Sequence, residues 1–216
     1  MGVYPKNIEA SAEAMANYAM VSMLLNSLSR VQAEGDSAVL YYPGVYDTRM
    51  KERLGDWASN LADEHYDHVL VAGHHAEAGQ HAFLTPEVVM EVFGPGVGIY
   101  CQVHAAHTGE QASWTAQRAD ELRLDVIELF VPAFHLPRAY LTTLKALIKA
   151  NIHRNVLLLP RALPMNPVVA LSMVPPFEDG GYTQAELVGG EAKKMLAYVD
   201  DVATLAELEQ YLALHL

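Results

Sequence analysis

The chain has 216 residues, of which 51% are hydrophobic, so it has enough apolar material for one large buried core. It carries 14 basic and 26 acidic residues, a formal net charge of −12, without any run of basic residues. A nucleic-acid surface needs clustered Lys and Arg to neutralise phosphates, and an anionic membrane surface needs the same. The composition therefore argues against both classes of partner.

The single cysteine, Cys101, lies in the apolar run GIYCQV and is interpreted as a small buried hydrophobe. One cysteine excludes an intrachain disulfide. The first residues lack the basic and apolar regions of a signal peptide, and the apolar segment YAMVSMLL is shorter than the roughly 20 residues that span a bilayer. These features predict a soluble, cytoplasmic protein without a membrane partner.

The hydrophobic pattern predicts strands that alternate with helices after a long N-terminal helix. The predicted strands are 37–42, 68–73, 98–103, 125–131 and 155–160. The predicted helices are 7–30, about 47–61, 85–93, 108–124, 137–150 and 190–214. Thr108 and Gln111 are interpreted as a capping box for the fourth of these helices. Alternation of this kind predicts a mainly parallel five-stranded sheet between two helical layers, an α/β three-layer sandwich with extra N-terminal and C-terminal helices.

The whole chain, 1–216, is predicted to form a single domain with its core at 36–160. Residues 161–189 break the rhythm with four prolines and a Gly-Gly pair, and we interpret them as an irregular, lid-like segment over one end of the sheet. The helix 190–214 then closes the domain.

Ionisable and glycine residues concentrate in the predicted connections that follow the strands. Six of the ten histidines lie there, whereas the strands are almost purely apolar. Because ligands of parallel α/β sheets bind beyond the carboxyl ends of the strands, this distribution predicts a site at that edge. In chain order, the candidate residues are Gly44, Arg49, Arg53, Gly73, His74, His75, Glu77, His81, His104, His107, Thr108, Glu110, His135 and Arg138.

Most of these residues also have a structural interpretation. Arg49 and Arg53 lie one helical turn apart and suit a solvated helix face as well as an anion site. His135 alone is more typical of a structural histidine. Arg138 is harder to explain in this way, because a cation in the first turn of a helix opposes the helix dipole. An anionic partner of Arg138 would offset that mismatch.

Two motifs in the second half of the chain resemble those of one family. They are TGEQA, with Thr108, Glu110 and Gln111, and FHLPRA, with His135 and Arg138, in the order strand, TxEQA helix, strand, FHxxRA. In this order the chain resembles the DUF218 family (YdcF/SanA/ElyC-like proteins) over roughly residues 36–160. The chain departs from the family's pattern where Ala72-Gly73-His74 replaces Ser-Gly-Gly and Pro132-Ala133 replaces Thr-Ser.

The resemblance implies a Rossmann-like fold with a pocket at the strand ends, and it makes S-adenosylmethionine a candidate ligand. By motif, it implies Glu110, His135 and Arg138 as pocket residues. We expect Glu110 and His135 to be catalytic and Arg138 to bind the ligand. Thr108, Arg49, Arg53, Gly44, Gly73 and His74 are further candidates for ligand binding. The reaction stays open between a transferase, a hydrolase and no catalysis at all.

The sequence is therefore compatible with three functions. The first is binding of a nucleotide-like or phosphorylated small molecule, held by Arg138 together with Arg49 or Arg53. The second is a metal-dependent hydrolase, with ligands drawn from His74, His75, His81, His104 and His107 and a carboxylate from Glu77 or Glu110. The third is a non-catalytic homo-oligomeric binding protein that associates through the methionines of the first helix, Met15, Met20 and Met23.

Overall fold

A computed structural model describes residues 10–31, 35–41, 66–73, 86–102, 105, 107–163 and 184–216. Five strands form one parallel sheet in the order β3-β2-β1-β4-β5. They are β1 (Ser37–Tyr41), β2 (His68–Val71), β3 (Gly98–Cys101), β4 (Val126–Pro132) and β5 (Leu157–Leu163). The predicted α/β class with a five-stranded parallel sheet is confirmed, in a Rossmann-like arrangement.

Six helices surround the sheet in the described part of the chain. They are α1 (Ala12–Leu28), α2 (Pro86–Phe93), α3 (Thr108–Leu122), α4 (Leu136–Lys149), α5 (Gln184–Ala197) and α6 (Leu205–His215). A parallel strand pair needs a long crossover, and α2, α3 and α4 provide the connections that the structure describes. No helix in the described ranges is long and apolar enough to cross a membrane.

Strand side chains alternate between two apolar cores, one on each face of the sheet. Leu40, Leu70 and Leu129 belong to the larger core, which is completed by α1 and α3 to α6. Val39 and Val69 belong to the smaller core, which α2 covers. Burial on both faces explains why the strands read as continuous apolar runs rather than as alternating patterns.

Glu128 is a charged exception in the interior strand β4, and it is neutralised within the fold. Arg161 of β5 donates from Nε to Glu128 at 2.9 Å and from Nη2 at 2.7 Å, and the hydroxyl of Tyr66 donates to the same carboxylate at 2.8 Å. Arg161 also donates to the carbonyl oxygens of Ser29 and Val31, just after α1. These hydrogen bonds fix the end of α1 to the sheet. The strand β5 extends to Leu163, so its last three residues lie in the segment that we predicted to be irregular.

The C-terminal region differs from the prediction of one helix over 190–214. Two helices, α5 and α6, are separated by residues 198–204. Thr204 begins α6 with a capping box: its hydroxyl accepts from the backbone N–H of Glu207, and the Glu207 carboxylate accepts from the backbone N–H of Thr204. The cap satisfies backbone groups that one continuous helix would have satisfied internally, so the chain can turn there.

The N-terminal helix α1 packs by one face and exposes the other. Tyr18, Val21 and Leu25 are among its buried residues. Three methionines lie exposed on it: Met15, Met20 and Met23. Packing against the core therefore accounts for one face of the helix, and self-association through the exposed face stays a prediction.

The start of α3 docks against the end of β2 through Gln111 and Gly73. Gln111 donates from its side-chain amide to the carbonyl oxygen of Ala72 at 2.8 Å. It does not complete the predicted capping box with Thr108, because the N-cap is His107, whose Nδ1 accepts from the backbone N–H of Glu110. Gly73 has φ +86°, and a Cβ built there would overlap the Gln111 amide nitrogen.

Substitution of Gly73 with Ala is expected to destabilise the fold more than the same change at Gly94. Gly94 has a similar φ of +80°, but no described atom lies within 4 Å of a Cβ placed there. In both variants the strain of a left-handed alanine should lower the free energy of unfolding by about 1–2 kcal/mol. Gly73→Ala should lose about 1–3 kcal/mol more, since Gln111 must give up its buried hydrogen bond. Urea denaturation measures both, and equal losses would contradict the contact.

Candidate functional site

The turn between β4 and α4 carries the FHLPRA motif. After β4 ends at Pro132, the backbone N–H of His135 donates to the Pro132 carbonyl oxygen at 2.8 Å, and α4 begins at Leu136. His135 occupies the N-cap position, but its side chain makes no capping hydrogen bond. Its imidazole is therefore available for other partners, and Arg138, three residues later on the helix, lies close enough to share them.

Glu191 of α5 supplies the partner of both residues. Its carboxylate, 1% exposed, accepts from His135 Nδ1 at 2.7 Å, from Arg138 Nε, and from Arg138 Nη2 at 3.3 Å. Lys194, one turn further along α5, donates to the same carboxylate at 3.2 Å. Four donors match the acceptor capacity of an ionised carboxylate, so Glu191 is fully satisfied although it is buried.

Arg138 also links this cluster to the N-terminus of α3. Its Nη1 donates to the hydroxyl oxygen of Thr108, the first residue of that helix, at 3.0 Å. Arg138 is itself buried. Because Thr108 follows β3 and His135 follows β4, the link brings together two of the connections that the sequence predicts to form a site.

Tyr18 of α1 approaches the cluster from the other side of the turn. Its hydroxyl donates to the carbonyl oxygen of Phe134 at 2.8 Å. Burial, assisted by the Glu191 carboxylate, raises the pKa of Tyr18 to about 12, so this hydroxyl is a neutral donor at physiological pH. The turn is thus held by α1 as well as by α5.

The charge states of the cluster follow from burial and from the neighbouring cations. Burial lowers the pKa of His135, and Arg138 lowers it further, whereas Glu191 acts in the opposite direction; the net direction is down. For Glu191, burial would raise the pKa, but His135, then Arg138 and Lys194, bring it well below the usual range of a glutamate. Arg138 and Lys194 favour the ionised carboxylate in addition to His135. We therefore assign a neutral imidazole beside a carboxylate.

The contact between His135 and Glu191 determines which imidazole nitrogen carries the proton. An ionised carboxylate only accepts hydrogen bonds, so an Nδ1 that lies 2.7 Å from it must be the donor. Arg138 Nη2 lies farther from Nδ1, at 3.3 Å, and cannot compete for it. A neutral His135 with its proton on Nδ1 leaves a lone pair on Nε2, and Nε2 has no hydrogen-bond partner in the described ranges.

The structure brings Thr108, His135 and Arg138 together and places two other predicted residues elsewhere. The carboxylate of Glu110 is about half exposed and lies 3.7 Å from His107 Nε2, so the carboxylate that contacts His135 is Glu191 and not Glu110. Gly73 lies beside Gln111. The remaining candidates lie outside the described residues: Gly44, Arg49, Arg53, His74, His75, Glu77, His81 and His104.

Glu191 is the residue that the sequence analysis did not select, although the sequence carries a signal for it. Leu187 and Met195, four residues before and after it, are buried. Glu191 thus occupies a core position of an amphipathic helix, where an unpaired carboxylate would be costly. A charge at such a position indicates a buried cation elsewhere in the chain.

A groove of about 460 Å³ lies beside the same turn, between α1 and the strand ends. Ala133 and Pro137 of the turn line it, together with Leu25, Phe130 and Ala162. Arg138, by contrast, contacts α3 and α5 and does not line this groove. The largely apolar groove and the polar cluster are therefore separate features of one turn.

Among the described residues, no group of three or more His, Cys, Asp and Glu side chains is arranged to hold a metal ion. Of the predicted metal ligands, His107 and Glu110 lie in the described part, where His107 caps α3 and Glu110 lies 3.7 Å from it. The others are outside it, so the metal-site hypothesis stays a prediction.

Comparisons with known proteins add little to this geometry. No protein-family model and no curated protein matches the chain. A candidate dehydratase from Zymomonas mobilis ZM4, known from its crystal structure, is similar to it with 16% sequence identity and a TM-score of 0.23. The match covers 52% of this chain and 35% of that chain, so the chain spans about a third of that protein's length. Membership of the DUF218 family stays a prediction.

The stability of the protein is expected to fall between pH 7 and pH 5 partly through His135. Its pKa is lowered in the folded state, so the unfolded chain takes up a proton at about pH 6.5 while the native imidazole stays neutral. His135 thus contributes no pH dependence above that value, and its share of the stability is lost as the pH falls towards the native pKa. Glu191 adds a second loss below about pH 4, because its pKa is also lowered.

Urea denaturation at several pH values tests this effect in His135→Asn. The variant should be less stable at pH 7 but should lose less stability on acidification, by up to about 1.4 kcal/mol per pH unit for the one proton. His107→Asn is the matched control, since His107 is exposed and Asn also caps helices. A pH profile of His135→Asn parallel to that of the wild type would contradict the assigned neutral state.

Proposed function

We propose that the protein binds a small anionic molecule, nucleotide-like or phosphorylated, at the carboxyl end of β4 beside Arg138. The observation that carries this proposal is the buried cluster of His135, Arg138 and Glu191, with Thr108 joined to it. Polar side chains from three separate elements converge there. Convergent polar groups with shifted pKa values are typical of functional sites.

The position of the cluster in the sheet supports this proposal. With the order β3-β2-β1-β4-β5, the connections leave β1 and β4 towards opposite edges of the sheet. Ligands of open α/β sheets bind at such a switch point, outside the carboxyl ends of the strands. His135 follows β4 directly, at one side of that position.

The electrostatics of the cluster also favour an anion. Arg138 and Lys194 place two cationic groups at the cluster, both in contact with the Glu191 carboxylate, in a chain whose formal net charge is −12. The N-terminus of α3, at Thr108, adds the positive end of a helix dipole. Glu191 is the anionic partner of Arg138 in the structure, and Lys194 adds a second cation to the same carboxylate.

If the cluster served only to hold α5 in place, the desolvation of its charges would be a large free-energy cost for that role. A buried ion pair contributes little net stability, because desolvation of the charges offsets their attraction, and packed apolar side chains would serve as well. The burial of Arg138 and His135 with Glu191 therefore favours a role for them beyond packing. S-adenosylmethionine stays one candidate ligand among nucleotides and sugar phosphates, and the reaction, transfer or hydrolysis, stays open.

Calorimetry and thermal shift with nucleotides, S-adenosylmethionine and sugar phosphates test the proposed site. An anionic compound should bind the wild type, and Lys194→Gln should weaken it by about 10-fold or more, because a charged hydrogen bond is worth about 1.5–3 kcal/mol. Arg138→Ala, checked for folding by circular dichroism, should abolish binding. Lys149→Gln is the control. Lys149 is an exposed lysine at the end of α4 that pairs with Asp201, which lies between α5 and α6.

The proposal fails if none of these anions binds the wild type. It also fails if Lys194→Gln and a folded Arg138→Ala bind as tightly as Lys149→Gln.

A further inference from the structure

We propose that Glu191 is a positioning residue that holds His135 as the Nδ1–H tautomer, so that Nε2 accepts a proton from a hydroxyl group of the ligand. The second half of this inference rests on the anionic ligand proposed above, whereas the tautomer does not depend on any ligand. It extends the proposed function from binding to acid–base chemistry, and it assigns a role to a residue outside both sequence motifs.

The geometry of Glu191 supports the positioning role. The carboxylate contacts Nδ1 at 2.7 Å and is itself held by Arg138 and Lys194, so it cannot rotate away without breaking charged hydrogen bonds. A carboxylate that orients an imidazole through Nδ1 also stabilises the imidazolium that forms when Nε2 takes up a proton. In that step the O–H bond of the hydroxyl breaks and its electron pair stays on the oxygen, which becomes the nucleophile; an N–H bond forms at Nε2, and Glu191 offsets the new positive charge.

The position of the imidazole bears on the class of substrate. His135 Nδ1 and Arg138 Nη2 are 3.3 Å apart, so the imidazole ring that carries the acceptor Nε2 and the proposed anion-binding guanidinium are neighbouring side chains. A ligand that uses both must carry a hydroxyl group close to its phosphate or carboxylate. Hydroxylated phosphates such as nucleotides and sugar phosphates have this arrangement, and so do hydroxy acids.

The groups that face His135 come from three helices, and they determine its response to pH. Glu191 and Lys194 approach from α5, Arg138 lies on its own helix α4, and Tyr18 of α1 bonds to the adjacent Phe134 carbonyl. Of these, Glu191 is the acceptor within hydrogen-bond distance of Nδ1, and two cations oppose protonation of the ring. The Nδ1–H tautomer should therefore persist from about pH 8 to below the ordinary histidine value of about 6.5.

Long-range ¹H–¹⁵N NMR of the full chain with ¹⁵N-labelled histidine, without ligand, tests the tautomer directly. The His135 signals, assigned by their loss in His135→Asn, should show a protonated Nδ1 and an unprotonated Nε2 at pH 7. An Nε2–H tautomer or an imidazolium at pH 7 would overturn the inference. The tautomer is read from the wild type, and a folded His135→Asn serves for the assignment alone.

Variants of the two buried glutamates separate positioning from general stability. Glu191→Gln should populate the Nε2–H tautomer of His135, because the new amide can donate to Nδ1. Glu128→Gln is the matched control, since Glu128 is a buried carboxylate paired with an arginine, Arg161, away from His135. Glu191→Asp should retain the Nδ1–H tautomer in part. An unchanged tautomer in a folded Glu191→Gln would remove the positioning role.

Reaction with diethyl pyrocarbonate, which acylates unprotonated imidazole nitrogens, tests whether Nε2 is open to a small molecule. Peptide mass mapping should find His135 modified in the wild type, and modified several-fold more slowly in Glu191→Gln. Modification of the exposed His107 serves as the internal standard. Modification of His107 without any at His135 would refute proton transfer to a ligand, and it would leave anion binding beside Arg138 to be decided by calorimetry alone.

Discussion

The carboxylate of Glu191, buried between His135 and Arg138, is the interaction on which the arrangement of this end of the molecule depends. Arg138 is a buried cation in the first turn of a helix, where the dipole opposes it, and an uncompensated charge there would be prohibitive. Glu191 neutralises it, and in doing so fixes α5 against α4. Thr108 brings α3 to the same guanidinium, and Tyr18 holds the turn from α1. Four helices, α1, α3, α4 and α5, are thus held together at the carboxyl end of β4.

The fold was largely predictable because its main determinant is local. Continuous apolar runs bounded by Gly and Pro correspond to strands that are buried on both faces, and the intervening periodic segments correspond to helices. The predicted ends of elements were wrong where contacts with distant residues determine them. β5 continues through Arg161, which has a buried partner in Glu128, 33 residues earlier. The break between α5 and α6 carried a readable signal, the Thr204 and Glu207 capping box, and the apolar periodicity on either side obscured it.

The site was predictable in part, for the same reason. His135, Arg138 and Thr108 stand at strand and helix ends, where sequence pattern predicts that functional groups collect, and the structure joins them. Glu191 could not be assigned to them by pattern, because it lies 53 residues beyond Arg138 in a different helix. What the sequence does show is a glutamate at a core position between Leu187 and Met195. Arg138 is unfavourable beside its helix dipole, and Glu191 is unfavourable among apolar neighbours. The two charges have opposite sign, so each residue predicts a partner of the kind that the other provides.

A double-mutant cycle between Arg138 and Glu191 tests the central interaction most directly. The variants are Arg138→Met, Glu191→Leu and the combination of the two, measured by urea denaturation. Each single change leaves one buried charge without its partner and should cost about 3–5 kcal/mol, whereas the double variant removes both charges and should cost less than the sum by at least about 2 kcal/mol. Costs that add to within about 0.5 kcal/mol would show that the two residues do not depend on each other, and would contradict the account.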